Sequence, residues 1–187
     1  MKITLLGDSI RLIGYGPLVP GLLGDGFEVF QPGDNCRFAK YTLRMLFEWA
    51  GNMKGSRVVH WNNGLWDVCD ILGDGRPFTS IPEYTENMLR IADILLARYD
   101  KVIFATTTPV TAQNPHNKNE VIAAYNDFIT PLLRERGVII NDLYTPMVED
   151  IPRFIRSDDN IHLTDVGARV CAELVAEAIR KAAEDLA

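Results

Sequence analysis

Lys2-Ile3-Thr4-Leu5-Leu6-Gly7-Asp8-Ser9-Ile10 opens the chain, and the rest of the sequence is organised around it. Ile3, Leu5 and Leu6 among β-formers predict a short buried strand that stops at Gly7 and delivers Asp8 and Ser9 at its carboxyl end. Open α/β sheets bind their ligands outside that end of their strands. If a helix starts there, the Ser9 N–H lies in the positive field of its first turn. Taken alone, the segment favours a plainer role, in which Asp8 or Ser9 caps the helix.

Beyond Ser9, residues 11–26 are rich in glycine and proline and predict a loop and a short helix ending near Gly24-Asp25-Gly26. Phe27 to Gln31 predicts a second strand, closed by the turn cluster Pro32-Gly33-Asp34-Asn35. Leu43, Leu46, Phe47 and Ala50 recur at helical spacing between Ala39 and Trp49, and Gly51-Asn52 ends that helix. Arg57 to Asn62 predicts the third strand. Residues 63–82 form a long irregular stretch, and loops of that length in compact domains are usually functional or disordered. Trp66, Val68, Ile71 and Leu72 make this one too apolar for disorder, so it is expected beside a site. A helix follows over 83–98, then the nearly continuous apolar strand Lys101 to Thr107, as a strand covered on both faces requires. After the loop 108–117, a helix over 118–136 is expected to break near Thr130-Pro131. Val138 to Asn141 predicts the fifth strand, residues 142–160 at most short helical turns, and Thr164 an N-cap for a final helix. Strands alternating with helices predict an α/β fold, a three-layer α/β/α arrangement around a flavodoxin-like five-stranded parallel sheet in the order 2-1-3-4-5, all in one domain.

The chain's 187 residues suit a single core, and 47% hydrophobic with 24% charged residues is ordinary for a globular protein. A net charge of −6 argues against nucleic acid or an anionic membrane as the main partner. No apolar run reaches membrane-spanning length, and the N-terminus enters a strand without signal-peptide regions, so a cytoplasmic setting is expected. Cys36, Cys69 and Cys171 form no C-x-x-C pair, and His60, His116 and His162 show no metal-ligand spacing. No metal and no cofactor is expected.

In a parallel sheet the loops after every strand emerge on one edge. They carry Asp8-Ser9, Gly33 to Arg37, Asn62-Asn63, Thr107-Thr108-Pro109 and Asp142, a polar set of the kind that lines a site. The segment before the last helix adds Asp158-Asp159-Asn160-Ile161-His162. Nucleophilic serine chemistry needs a base for the hydroxyl proton, a carboxylate to orient that base, and donors for the oxyanion. Ser9, His162 and Asp159 can supply the first two, and Asn62 with loop N–H groups the third. The i, i+3 spacing of Asp159 and His162 lets one turn of chain fold the carboxylate onto an imidazole nitrogen, where it fixes the tautomer.

On these residues the chain resembles the SGNH, or GDSL-type, hydrolases. Gly7-Asp8-Ser9-Ile10 is similar to the family's first block, which supplies the nucleophile; Asn62-Asn63-Gly64-Leu65 to the third, with Asn62 at the oxyanion asparagine; and Asp159-Asn160-Ile161-His162 to the last. The blocks occur in order across nearly the whole chain. The second block departs: Cys36, within Asp34-Asn35-Cys36-Arg37-Phe38, stands where the family has a glycine whose N–H joins the oxyanion hole, with Gly33 the runner-up. The third departs too, with His60 in place of glycine and Asn63 in place of aspartate.

The resemblance implies a serine esterase for small acyl esters, O-acetyl groups on carbohydrates among them. Ser9 is then the nucleophile, His162 the general base and Asp159 its orienting carboxylate. Ser9, Asn62 and Cys36 supply the oxyanion donors, and Asn35 and Trp66 are the candidate substrate contacts. The expected partner is a small-molecule ester, with no nucleic acid and no membrane. Two alternatives stand beside it: a non-catalytic flavodoxin-like binding module, which lacks any G-x-G-x-x-G or P-loop spacing here, and a degenerate hydrolase. Asp8 is more simply a turn or cap residue, Trp61 core, and His60 a satisfied strand histidine.

Overall fold

A computed structural model describes residues 1–186. Five strands, β1 (Lys2–Leu6), β2 (Glu28–Phe30), β3 (Ser56–Trp61), β4 (Lys101–Ala105) and β5 (Ile139–Asn141), form one sheet in the order β2-β1-β3-β4-β5. Every pairing is parallel. The expected topology is therefore the observed one. Leu6 pairs with Trp61 and Trp61 with Phe104, so three strands end level and release their loops at one edge. Ile3, Leu5, Val58, Val59, Trp61, Val102, Ile103 and Phe104 are buried, which accounts for the lack of polar alternation in these strands.

Helices α2 (Ala39–Met53), α3 (Ile81–Leu96) and α4 (Asn119–Glu135) pack in sequence, with α3 on β4 and α4 on β5. α7 (Asp165–Glu184) lies across β3, β4 and β5 and also packs on α1 (Val19–Leu23) and on a π-helix, Ile10–Tyr15. Right-handed crossovers put these two helix groups on opposite faces. Short helices α5 (Tyr144–Val148) and α6 (Ile151–Phe154) occupy the stretch read as irregular. Among the described residues no helix is long and apolar enough to cross a membrane.

Local chemistry sets the boundaries. Thr164 caps α7 by accepting from the Gly167 N–H at 3.1 Å, and Ser80 caps α3, which starts two residues before the sequence predicts. α4 does not break at Thr130-Pro131: it runs through Pro131, giving up only the bond that a residue there would make to the Asp127 carbonyl. Its buried stripe of Ile122, Tyr125, Ile129 and Leu133 spans the proline and holds both halves to the core. α2 likewise continues past Gly51 to Met53, which is buried. The π-helix falls where a loop is expected; it puts Ile10, Arg11 and Tyr15 inside.

His60, on β3, is fully buried, with Nε2 3.1 Å from Asn141 Oδ1 and Nδ1 without a partner. The strand histidine is thus only half satisfied. Burial, opposed by the Asn141 bond, depresses its pKa from 6.5 to about 4. The unfolded chain therefore takes up this proton first as pH falls. Its contribution is complete above the unfolded value and is lost between there and the folded one, about 3 kcal/mol in all. Asp67 and Asp8, both raised by burial, slope the opposite way, so the comparison must be with a variant. The urea-derived stability advantage of wild type over His60→Gln should shrink by about 3 kcal/mol between roughly pH 7 and pH 4. A constant difference would contradict the assignment.

Candidate active site

The last turn before α7 is built by its own sequence. Asp159 Oδ1 accepts from the N–H groups of Ile161 at 3.0 Å and His162 at 2.9 Å, and Oδ2 lies 3.0 Å from His162 Nδ1. Asn160, with φ of 64°, makes the reversal between them. Asparagine is among the few side chains that accept this left-handed conformation. Burial works to raise the Asp159 pKa, but the two backbone donors and the imidazole outweigh it and hold the carboxyl down to about 2. It stays an anion at any working pH. Thr111 anchors the turn, donating its N–H to the Asn160 carbonyl at 3.2 Å and its hydroxyl to Asn160 Oδ1 at 2.7 Å. The Arg156 N–H bonds the His162 carbonyl at 2.8 Å.

At the first strand's end, Asp8 and not Ser9 does the capping. Asp8 Oδ1 accepts the Ile10 N–H at 2.9 Å, whereas Ser9 occupies the N-cap position without a side-chain cap bond. The plain reading of Ser9 as a cap therefore fails. Its hydroxyl and N–H have no acceptor among the described residues. Asp8 is wholly buried and its Oδ2 has no partner. Desolvation raises its pKa against the Ile10 N–H, the Asn62 amide and the nearby charges of Arg11 and His162. The structure thus brings Asp159 and His162 into contact and His162 within electrostatic range of Asp8. It does not close a hydrogen bond between the Ser9 hydroxyl and the imidazole.

Asn62 follows β3. Its N–H bonds the Leu6 carbonyl at 3.2 Å and its Oδ1 accepts the Tyr15 hydroxyl at 3.1 Å. The approach to the first strand is so close that a Cβ on Gly7 would stand 2.0 Å from Asn62 Oδ1.

The expectation for Cys36 is corrected here. Its N–H is donated to the Gly7 carbonyl at 3.1 Å, and its Sγ accepts the Gly7 N–H at 3.0 Å. This reciprocal pair occupies the donor that an oxyanion hole would use. Burial pushes the Cys36 thiol up to about 11, so it is no nucleophile either. Gly33 lies in the open, with no atom within 4 Å of where its Cβ would be. Asn35 Oδ1 accepts the Arg37 N–H at 2.7 Å, which leaves its amide nitrogen as its only side-chain donor for a substrate. Trp66 is 44% exposed in the loop after β3, whereas Trp61 is core.

Three residues of this region escape a sequence reading. Arg11 is 1% exposed and donates to the carbonyls of Gly7 at 3.1 Å, Pro32 at 2.8 Å and Asp34 at 2.7 Å. Tyr15 touches Asn62, as above. Asp67 receives the Ala39 N–H on both carboxyl oxygens at 3.1 Å, and so stands in for the absent side-chain cap of α2. Burial raises its pKa to about 7. The usable signal for the first pair is their spacing of four, which puts two long polar side chains on one helical face of a stretch dismissed as loop. Among the described residues no group of three His, Cys, Asp or Glu side chains could hold a metal ion.

The α/β/α sandwich in this strand order is similar in fold to solved structures of esterases and of a GDSL-like lipase. The acetyl xylan esterase AlAXEase superposes with a TM-score of 0.80 at 21% identity, over 96% of this chain and 100% of that one. A GDSL-like lipase from Bacteroides thetaiotaomicron gives 0.76 at 20% identity, over 97% and 88%. Axe2, an acetylxylan esterase from Geobacillus stearothermophilus, gives 0.75 at 17%, over 97% and 93%. This chain shares their fold. No family model matches the sequence, and no curated protein matches it significantly.

The closeness at Gly7 is testable by contrast. Gly7→Ala should destabilise the protein by about 2 kcal/mol or more in urea denaturation, because Asn62 and Arg11 must both move. Gly33→Ala should fall within about 0.5 kcal/mol of wild type, since nothing lies near its added methyl. Equal effects would sink this account of the first strand's end.

Proposed function

We propose that this protein is a serine esterase that removes small acyl groups, acetyl groups on carbohydrates being the substrate class. The observation that carries the proposal is the Asp159–His162 pair, 3.0 Å apart, at the sheet edge that also holds a serine with an unengaged hydroxyl. The fold shared with proteins described as acetyl xylan esterases supports the choice of acyl group.

Asp159 on Nδ1 leaves Nε2 of His162 as the basic nitrogen. Nε2 takes the proton as Ser9 Oγ attacks the ester carbonyl, and Asp159 stabilises the imidazolium that forms. The carbonyl oxygen becomes an oxyanion, met by the Ser9 N–H and the Asn62 amide; Cys36 has no part in holding it. The imidazolium then protonates the leaving alcohol, and water returns by the same path to release the acid. The Ser9–imidazole bond is not closed here, and such bonds often tighten only when substrate binds. That open bond also favours a second reading, a hydrolase fold without turnover.

Hydrolysis of a chromogenic acetyl ester and labelling by a fluorophosphonate decide between them. Both should be lost in Ser9→Ala. His162→Ala and Asp159→Asn should each lower kcat by about three orders of magnitude or more, and Asn62→Ala by about a hundredfold. Activity that survives in Ser9→Ala refutes the serine mechanism, and a wild type inert to both reagents favours the fold without turnover.

A further inference from the structure

Tyr15 is buried, lies fifteen residues into the chain and takes no part in the chemistry above, yet its hydroxyl is aimed at the Asn62 amide. We infer that Tyr15 is the positioning residue of the oxyanion hole: by donating to Asn62 Oδ1 it fixes which edge of that amide faces the reacting carbonyl. The inference rests on the esterase reading.

An asparagine side chain is nearly symmetric in shape and opposite in function on its two edges. With Nδ2 turned to the substrate it stabilises a developing negative charge; with Oδ1 there it repels it. Something must break the symmetry, and the structure offers three contacts that do so. The Tyr15 hydroxyl donates to Oδ1 at 3.1 Å. The absent Cβ of Gly7 leaves space that Oδ1 fills, 2.0 Å from where that Cβ would be, so the oxygen is seated on the strand. The Asp8 carboxyl also neighbours the amide, with a buried oxygen that has no partner among the described residues, and the amide works to lower the Asp8 pKa, as a donor does, so this neighbour favours the NH2 edge.

Tyr15 is itself held as a donor. Burial first, then the neighbouring Asp8, push its pKa well above the usual tyrosine value, so it remains a phenol. Its ring meets His60 edge-on, with centroids 6.0 Å apart, and the π-helix brings it in beside Arg11. The Gly16 N–H closes that helix on the Arg11 carbonyl at 2.8 Å, the wide i to i+5 turn that often marks functional sites.

The test is Tyr15→Phe, which removes one oxygen and keeps the ring. With an acetyl ester, kcat should fall about tenfold while KM changes less than about twofold, since the hole binds the transition state and not the ground state. In an Asn62→Ala background the same change should have no further effect on kcat, as no amide is left to orient. Either an unchanged kcat in Tyr15→Phe, or an equal loss with and without Asn62, overturns the inference. A lost thermal transition in the single variant would point to folding, and Tyr15→His then serves as the second variant, its ring N–H tested for restored kcat; no restoration in a folded Tyr15→His also counts against the inference. Ser9→Ala, run in parallel, separates the two proposals: if it remains active the esterase reading fails, whereas an inactive Ser9→Ala beside a fully active Tyr15→Phe removes only the role of Tyr15.

Discussion

The first-strand half of the site is assembled on the backbone of Gly7. Its N–H goes to Cys36 Sγ, and its carbonyl receives both the Cys36 N–H and the Arg11 guanidinium. The face where a side chain would stand is taken by Asn62 Oδ1. One peptide thus joins the loop after β2, the start of the π-helix and the end of β3. Glycine is needed here for close approach and not for an unusual φ, since its backbone is not among those in the left-handed region. The nucleophile candidate is two residues away on the same peptide run, so whatever shifts Gly7 shifts Ser9 and Asn62 together.

The second constraint is electrostatic. Among the described residues Arg11 is a buried cation without a carboxylate salt bridge, and Asp8 a buried acid with an unpaired oxygen. An isolated buried charge costs several kcal/mol, and hydrogen bonds from its own protons are the usual compensation. Arg11 finds three carbonyls, and in doing so it pins the second-strand loop at Pro32 and Asp34 to Gly7. That loop contains no regular structure to hold it otherwise. A methionine or leucine could fill the volume but would take the donor from the Pro32 and Asp34 carbonyls, so the cation here serves shape as much as charge.

The sheet order, the placement of the strand-end loops and the Asp159–His162 turn were all legible from residue pattern. Each rests on short-range rules: apolar runs with turn punctuation, and an i, i+3 spacing. What was not legible has a common physical cause. Arg11, Tyr15 and Asp67 act across long sequence separations, and the π-helix carrying two of them has no 3.6-residue signature to announce it. Pro131 misled for a related reason: a local penalty was outweighed by the burial of a stripe on both sides of it. Cys36 failed because position in a motif says where a residue sits and not what its N–H already holds.

That distinction separates the two halves of the site. The Asp159–His162 pair is nearly self-contained: backbone donors, the Asn160 reversal and the Thr111 anchor fix it within one turn of chain. The Ser9–Asn62 half is a product of the whole sheet, since it exists only where β1 and β3 end in register. The two are tied together because α7, which begins three residues after His162, packs on the π-helix that begins directly after Ser9. Leu163 sits against Gly14 at that junction, where a Cβ on Gly14 would come within 3.2 Å of the leucine. Docking of the last helix onto the first turn therefore sets the distance between base and nucleophile. A small rigid-body shift there would move the imidazole relative to Ser9 while leaving its bond to Asp159 intact, so alignment of this site depends on helix packing more than on the pair itself.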